Sequence, residues 1–127
     1  MEFTTELDRV KKILTVHVTG EYHRPHEGYE VQRYVINTYP DHGCRRVLLD
    51  LTQAVVFGGT MPTYRTGNPD PEVLQELRKF SFAAVYAEIT DDERFFENVT
   101  TNRGLRVRVF DDLEKAIEWL EKERESG

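Results

Sequence analysis

The spacing of apolar residues changes along the chain, and these changes predict the order of strands and helices. Residues 13–18 are rich in β-branched side chains, and residues 105–109 alternate apolar with charged ones, which is typical of half-buried strands. Residues 47–51 form a nearly unbroken apolar run, as expected of a strand buried on both faces and therefore central in a sheet. Over residues 113–120, apolar residues recur at i, i+3, i+4 and i+7, so an amphipathic helix is predicted there.

Prolines, glycines and capping residues predict where these elements begin. Residues 3–7 form a first strand so close to the second that the two must pair as an antiparallel hairpin. Pro25 and Pro71 each suit the start of a helix, and Thr90 followed by Glu93 matches a capping box. The predicted order is β-β-α-β-α-β-α-β-α. It corresponds to an α/β fold with a mainly parallel sheet and one antiparallel edge strand.

Residues 52–71 depart from this pattern and predict a long irregular connection after the central strand. The segment contains Gly58 and Gly59 next to each other, and it also contains three prolines, Pro62, Pro69 and Pro71. Thr60 is predicted to cap a short helix within it. Long irregular segments in small domains are usually functional or mobile, so this connection is the first candidate for a binding surface.

Composition and charge favour one globular domain and exclude several kinds of partner. The chain has 127 residues, with 17 basic and 23 acidic side chains and a net charge of −6, which argues against general binding to nucleic acid or to anionic membranes. No apolar run approaches the ~20 residues that span a bilayer, and no signal peptide pattern is present. A single cysteine excludes an internal disulfide. We expect a cytoplasmic domain over residues 1–120 and a charged tail at 121–127, with no integral membrane association.

The sequence lacks the motifs of common catalytic sites. It has no G-x-x-x-x-G-K-[ST] phosphate loop, no G-x-G-x-x-G turn and no G-x-S-x-G elbow. Cys44 and His42 have no evident third group to orient them, so a buried thiol is the simpler interpretation. His23, His26 and Glu27 straddle a proline without metal-ligand spacing on one helix face. We therefore predict no enzyme activity, no metal site and no cofactor.

A local basic cluster is formed by Arg103, Arg106 and Arg108. Arg106 and Arg108 share one face of their predicted strand. The spacing leaves two roles open for them: bidentate pairing with phosphate or carboxylate groups, or protection of an edge strand from aggregation.

Four groups of motifs follow one another over most of the chain from Leu7 to Leu120. They are L-T-V-H-V-T-G at 14–20, R-V-L-L-D-L-T at 46–52, F-F-E-N-V at 95–99 with N-R-G at 102–104, and V-R-V-F-D at 107–111 with Ala116, Trp119 and Leu120. Together they resemble the STAS-type fold of sulfate transporters and anti-sigma-factor antagonists, and more narrowly the small, mostly uncharacterised SpoIIAA-like bacterial proteins. The related lipid-binding Sec14-like domains are also similar.

The resemblance implies a phosphorylation site at the start of the helix after the central strand. In anti-sigma-factor antagonists a partner kinase phosphorylates a hydroxyl in an Asp-Ser-Ser/Thr-Gly stretch there. In this chain the acid aligns with Gly58 and the acceptor serine with Gly59, which has no hydroxyl. Thr60 keeps the only hydroxyl and is the candidate phosphoacceptor. Its alternative role is to cap the helix.

We expect a non-catalytic regulatory domain that uses the loop after the central strand to bind another protein or a second copy of the chain. The predicted contact residues are Phe57, Gly58, Gly59, Thr60, Met61 and Tyr64. The alternative is a carrier of a small apolar ligand or lipid, resembling Sec14-like domains. In that case Phe57, Met61 and Tyr64, together with Leu74, would surround the ligand.

Overall fold

A computed structural model describes residues 1–123 as a five-stranded sheet with five helices. The strands are β1 (Glu2–Asp8), β2 (Ile13–His23), β3 (Arg46–Phe57), β4 (Ser81–Tyr86) and β5 (Arg106–Phe110). The helices are α1 (His26–His42), α2 (Thr60–Gly67), α3 (Pro71–Leu77), α4 (Asp91–Asn102) and α5 (Leu113–Lys122). No helix in this part of the chain is long and apolar enough to cross a membrane. Of the predicted tail, residues 121–122 continue α5, and 124–127 lie outside the described residues.

The strands lie side by side in the order of the sequence, β1-β2-β3-β4-β5. β1 is antiparallel to β2, and the other neighbouring pairs are parallel. The predicted hairpin, the central position of β3 and the mainly parallel sheet with one antiparallel edge strand are therefore confirmed.

Local sequence signals account for several helix starts. Thr90 and Glu93 form the predicted capping box at α4. At α5, the Asp112 side chain accepts a hydrogen bond from the Lys115 N–H at 3.1 Å. Pro25 occupies the N-cap position of α1, where its missing N–H leaves no intrahelical hydrogen bond unmade. Each of these signals involves residues within one helical turn of each other, so each can be recognised in the sequence without knowledge of the fold.

Hydrophobic packing places the helices unequally on the two faces of the sheet. On one face, Val31 and Val35 of α1 pack against alternate residues of β2 and β3, among them Val16 and Val47, and α3 and α4 pack on the same side through Leu77 and Phe96. On the other face, the core includes Ala116 and Leu120 of α5. α5 packs against β3, β4 and β5. On this α5 side, much of the face formed by β1 and β2 remains open to solvent.

The prediction of an irregular connection over residues 52–71 was wrong. Residues 52–57 continue β3, and residues 53–57 pair with residues 19–23 of β2. The helices α2 and α3 take most of the remainder, so only two short connections, at 58–59 and 68–70, are left. The central strand is consequently more than twice as long as predicted, and it extends beyond the end of β4.

A β-bulge explains why the sequence pattern concealed this extension. Between the paired positions His17–Asp50 and Thr19–Gln53, β3 has one residue more than β2. The Asp50 Oδ1 atom accepts hydrogen bonds from the Thr52 N–H at 3.0 Å and the Thr52 hydroxyl at 2.6 Å, which stabilise the bulge. The β3 residues that pack on the α1 side are odd-numbered before the bulge and even-numbered after it. The period-2 alternation of apolar residues is therefore interrupted in the sequence.

Candidate functional site

Three exposed hydrophobic side chains lie within seven residues at the end of β3 and the start of α2. Val55, Phe57 and Met61, here called the apolar patch, are 59%, 43% and 58% exposed. Among residues 1–123, the other exposed large hydrophobic side chains are Val10 and Leu113, and both lie in other parts of the fold. Single exposed hydrophobic residues are common, whereas a group of them indicates a surface that another molecule covers.

Five of the six predicted contact residues form one exposed stretch of the chain, from the end of β3 into the first turn of α2. Phe57, Gly58, Gly59, Thr60 and Met61 are all exposed. Tyr64 is not part of it, because its side chain is half-buried. The Tyr64 hydroxyl accepts hydrogen bonds from Arg103 Nη2 at 2.9 Å and from Asn68 Nδ2 at 3.2 Å, which is a structural role.

The connection between β3 and α2 consists of Gly58 and Gly59 and is called the glycine turn below. Gly59 is the N-cap of α2, with φ at 105° and ψ at 170°. This region of backbone space is essentially restricted to glycine. The prediction that Thr60 caps the helix was therefore wrong, because Thr60 is its first residue. The Thr60 side chain is exposed, and its role as phosphoacceptor stays a prediction.

A buried ion pair lies beside the glycine turn, and sequence reasoning missed it. The side chains of Arg24 and Glu93 are 1% and 5% exposed, and Arg24 Nη1 donates to Glu93 Oε2 at 3.1 Å. Arg24 also donates to the hydroxyl oxygens of Thr63 and Tyr86, each at 3.1 Å. We call these four residues the arginine cluster. It joins the end of β2 to α2, β4 and α4, which no local signal in the sequence could reveal.

The electrostatics of the arginine cluster favour one arrangement. Burial raises the pKa of Tyr86, and the nearby Arg24 charge offsets this only in part. Tyr86 therefore stays neutral and available to accept the Arg24 hydrogen bond. The Arg24 guanidinium also lies 5.6 Å from the Phe96 ring centroid, within cation–π range. Removing either Arg24 or Glu93 would leave the other as an unpaired buried charge. The two side chains therefore stabilise each other in this position.

Hydrogen bonds hold the glycine turn beside this cluster, through Phe57 just before the turn and through Asp92, the neighbour of Glu93. The Arg24 N–H donates to the Phe57 carbonyl at 2.9 Å, and the Gly59 N–H donates to Asp92 Oδ2 at 2.9 Å. A Cβ atom at Gly58 would lie 3.1 Å from both Arg24 Nη1 and Thr63 Oγ1. Glycine at this position therefore allows the turn to lie directly against the cluster. The apolar patch is consequently carried by a backbone that is hydrogen-bonded beside the arginine cluster.

A second polar pair, His17 with Asp50, lies further down β2 and β3. His17 Nδ1 is 2.9 Å from Asp50 Oδ2, and Asp50 is buried. Burial opposes ionisation of Asp50, but hydrogen bonds from the Thr52 hydroxyl and N–H, and then from His17, outweigh it and lower its pKa. The pair joins β2 to β3 directly beside the bulge.

The geometry does not assemble the predicted ligand-carrier site. The apolar cavity between α1 and the sheet has a volume of about 50 Å³ and includes Val31, Leu49 and Phe82 in its lining. Pockets for drug-sized ligands are roughly 300–1,000 Å³. Its lining does not include the four residues predicted for the carrier, Phe57, Met61, Tyr64 and Leu74.

The other sequence candidates take part in local contacts. The Glu27 carboxylate accepts the His23 N–H near the start of α1. Cys44 is buried, and its N–H donates to His42 Nδ1 at 2.9 Å. Within residues 1–123, no three His, Cys, Asp or Glu side chains are grouped so that they could hold a metal ion.

The three arginines of the basic cluster are engaged at separate places. Arg103 donates to Asn68 and Tyr64, which links α4 to the end of α2. Arg106 donates to the Ser81 hydroxyl at 3.0 Å. The Arg108 guanidinium lies 6.0 Å from the Phe110 ring centroid. Arg106 and Arg108 are both exposed on β5, an edge strand, as the protective role requires.

The sheet order and the unequal helix layers define a STAS-type α/β fold, as the sequence predicted. Two SpoIIAA structures match it over nearly the whole chain. The structure of the anti-sigma factor antagonist SpoIIAA in its unphosphorylated form has a TM-score of 0.58 at 10% identity, covering 96% of this chain and 100% of that one. The structure of the Bacillus cell fate determinant SpoIIAA in the phosphorylated form has a TM-score of 0.50 at 13% identity, with coverage of 94% and 99%. No family model and no curated protein sequence matches the chain.

Proposed function

We propose that this chain is a non-catalytic, cytoplasmic regulatory domain that binds a partner protein through the apolar patch and the glycine turn. The observation that carries the proposal is the exposure of Val55, Phe57 and Met61 on a backbone hydrogen-bonded beside the arginine cluster. Aromatic residues and methionine are enriched in protein interfaces. A preorganised surface also loses less conformational entropy on binding than a mobile loop would.

The comparisons support a regulatory role because of what the matched structures are. One is described as an anti-sigma factor antagonist, and SpoIIAA is represented in both unphosphorylated and phosphorylated forms. Such a role needs neither a catalytic group nor a cofactor.

We further propose that phosphorylation of Thr60 would weaken partner binding. The Thr60 hydroxyl is exposed between the glycine turn and Met61. A phosphate would add about −1.5 to −2 charges next to an apolar surface. Asp92 is also close, since it accepts the Gly59 N–H. Both features disfavour a docked partner. Mass spectrometry of protein purified from its native cells should detect phosphate on Thr60, and Thr60→Glu should reduce capture of the partner relative to Thr60→Val.

The principal test compares two matched changes of exposed hydrophobic residues. The patch variant is Phe57→Ser with Met61→Ser. The control is Val10→Ser, which also removes an exposed hydrophobic side chain but lies in the β1–β2 turn. Tagged wild type and variants are used for affinity capture from native lysate, followed by quantitative mass spectrometry and size determination of the complexes.

We expect a partner that wild type and Val10→Ser retain and that the patch variant loses. Full burial of a large hydrophobic side chain contributes about 1.5–3 kcal/mol, so losing two partly exposed ones should reduce retention at least tenfold. Far-UV circular dichroism shows whether the patch variant is still folded. Equal retention by the folded patch variant, or a monomer that retains no partner, would contradict the proposal.

A further inference from the structure

The second half of β3 has a free edge. Within residues 52–57, residues 53–57 pair with β2 on one side, but β4 ends at Tyr86, which is opposite Leu51. A strand paired on one side only directs alternate N–H and C=O groups away from its neighbour. An unpaired edge of this kind is a template on which an extended segment of another chain adds as a strand.

A small groove with acidic side chains runs along this free edge. It has a volume of about 200 Å³ and lies between β3 and the connection from β4 to α4. Its lining includes Ala54 and Val56 of β3, Glu88 of that connection, and Asp92 and Glu93 at the start of α4. The volume is below the roughly 300–1,000 Å³ of drug-sized ligand pockets, so the groove suits single side chains. Glu93 is neutralised by Arg24, which leaves Glu88 and Asp92 as its acidic groups.

The two sides of the free edge differ in chemistry, and this difference specifies the occupant. Side chains of an added strand would point alternately to opposite faces of the sheet. On the α5 side they would meet Val55 and Phe57, which are exposed and apolar. On the other side they would enter the groove beside Glu88 and Asp92. A segment in which apolar residues alternate with lysine or arginine complements both faces.

We propose that an extended segment of the partner protein, with apolar and basic residues in alternation, adds to the free edge of β3 over residues 52–57. The inference rests on the proposed function and specifies the chemistry of its partner. The outer edges of the sheet are less suitable. β5 exposes Arg106 and Arg108, which would repel a basic segment, and β1 lacks a comparable exposed apolar side chain.

The experiment uses short capped peptides and the ¹⁵N-labelled chain. The first peptide alternates valine and lysine, and a scrambled peptide has the same composition. Two further peptides carry N-methyl groups on every valine or on every lysine. Because alternate residues of a strand direct their N–H groups to opposite edges, each N-methylated peptide is blocked along one edge only.

We expect the alternating peptide to shift the amide resonances of residues 52–57 and to slow their hydrogen exchange. One N-methylated peptide should bind about tenfold more weakly or worse, and the other should bind nearly as well as the parent. The scrambled peptide should bind more weakly. No shift in residues 52–57 at millimolar peptide, or equal loss with both N-methylated peptides, would overturn the proposal.

Charge reversal provides a matched pair of variants. Glu88→Lys places a positive charge in the groove, and Glu118→Lys makes the same change on exposed α5. We expect Glu88→Lys to weaken peptide binding several-fold and Glu118→Lys to leave it unchanged; equal effects would refute the role of the groove. Peptide-induced shifts confined to β1 would place the binding site there and overturn the proposal. Self-association of the free chain, with the amides of residues 52–57 already protected from exchange, would identify a second copy as the occupant and would also overturn it.

These outcomes are distinguishable from failure of the proposed function. If the patch variant loses its cellular partner while the peptides do not bind and Glu88→Lys retains that partner, docking through the apolar patch stands. In that case strand addition is refuted.

Discussion

Replacing Arg24 with methionine tests whether the arginine cluster holds the edge of the sheet that carries the apolar patch. The change keeps a long apolar side chain but removes the guanidinium, which donates to Glu93, Thr63 and Tyr86. Glu93 would keep its hydrogen bonds from Thr90 but lose its cation. Its carboxylate is nearly inaccessible to water, so solvent would compensate for little of the loss.

The expected cost follows from this burial. Removing one member of a buried ion pair typically costs about 3–5 kcal/mol, whereas an exposed pair contributes about 0–1 kcal/mol. A domain of this kind is stable by only about 5–15 kcal/mol. Arg24→Met should therefore lower the urea midpoint by about 2 M, if the slope is near 2 kcal/mol per molar urea. Unfolding is followed by far-UV circular dichroism and by fluorescence of Trp119.

A double-mutant cycle separates the ion pair from general packing. Glu93→Gln removes the negative charge and keeps a residue that can complete the capping box with Thr90. The double variant contains no unpaired charge in the cluster, so its cost should be smaller than the sum of the single costs by about 1–3 kcal/mol. A loss below about 1 kcal/mol for Arg24→Met, or strictly additive single effects, would refute this account of the cluster.

Three further changes test other parts of the fold. Gly28→Ala would place a Cβ atom 2.6 Å from Thr66 Cγ2 and should lower the free energy of unfolding by about 1–3 kcal/mol. Adding Thr66→Ser removes that methyl group and should recover part of the lost Tm, whereas no recovery would contradict the close contact. Gly59→Ala should cost about 1–3 kcal/mol in urea unfolding because φ is 105°, and a neutral effect would contradict the strained turn. The folded-state pKa of Asp50 is lowered, so its stabilising contribution is present above the unfolded pKa of about 3.9 and is lost as pH falls through the folded value. Asp50→Asn should therefore flatten the decline of stability below about pH 4, and an unchanged slope would argue against this role.

The order of strands and helices could be predicted because its signals are local. Alternation, capping residues and the hairpin spacing each depend on residues a few positions apart, and the mainly parallel sheet follows from strands separated by helices. The exposed surface at the end of β3 could also be anticipated, since Gly58, Gly59 and Thr60 follow the central apolar run. The length of β3 could not, because the bulge at Asp50 and Thr52 shifts the alternation by one residue.

By itself, the sequence determined the class of fold and the position of the candidate surface along the chain. Tertiary structure alone decided that the surface lies beside a buried ion pair, because Arg24 meets Glu93 across 69 residues of sequence and periodicity cannot predict such a pairing. It also decided that Tyr64 packs against Arg103 instead of lining a ligand site. The physical reason is the sequence separation of the interacting residues. Propensity and periodicity reflect residues within one helix or strand, whereas buried charges and hydrogen bonds pair residues that become neighbours only when the elements pack together.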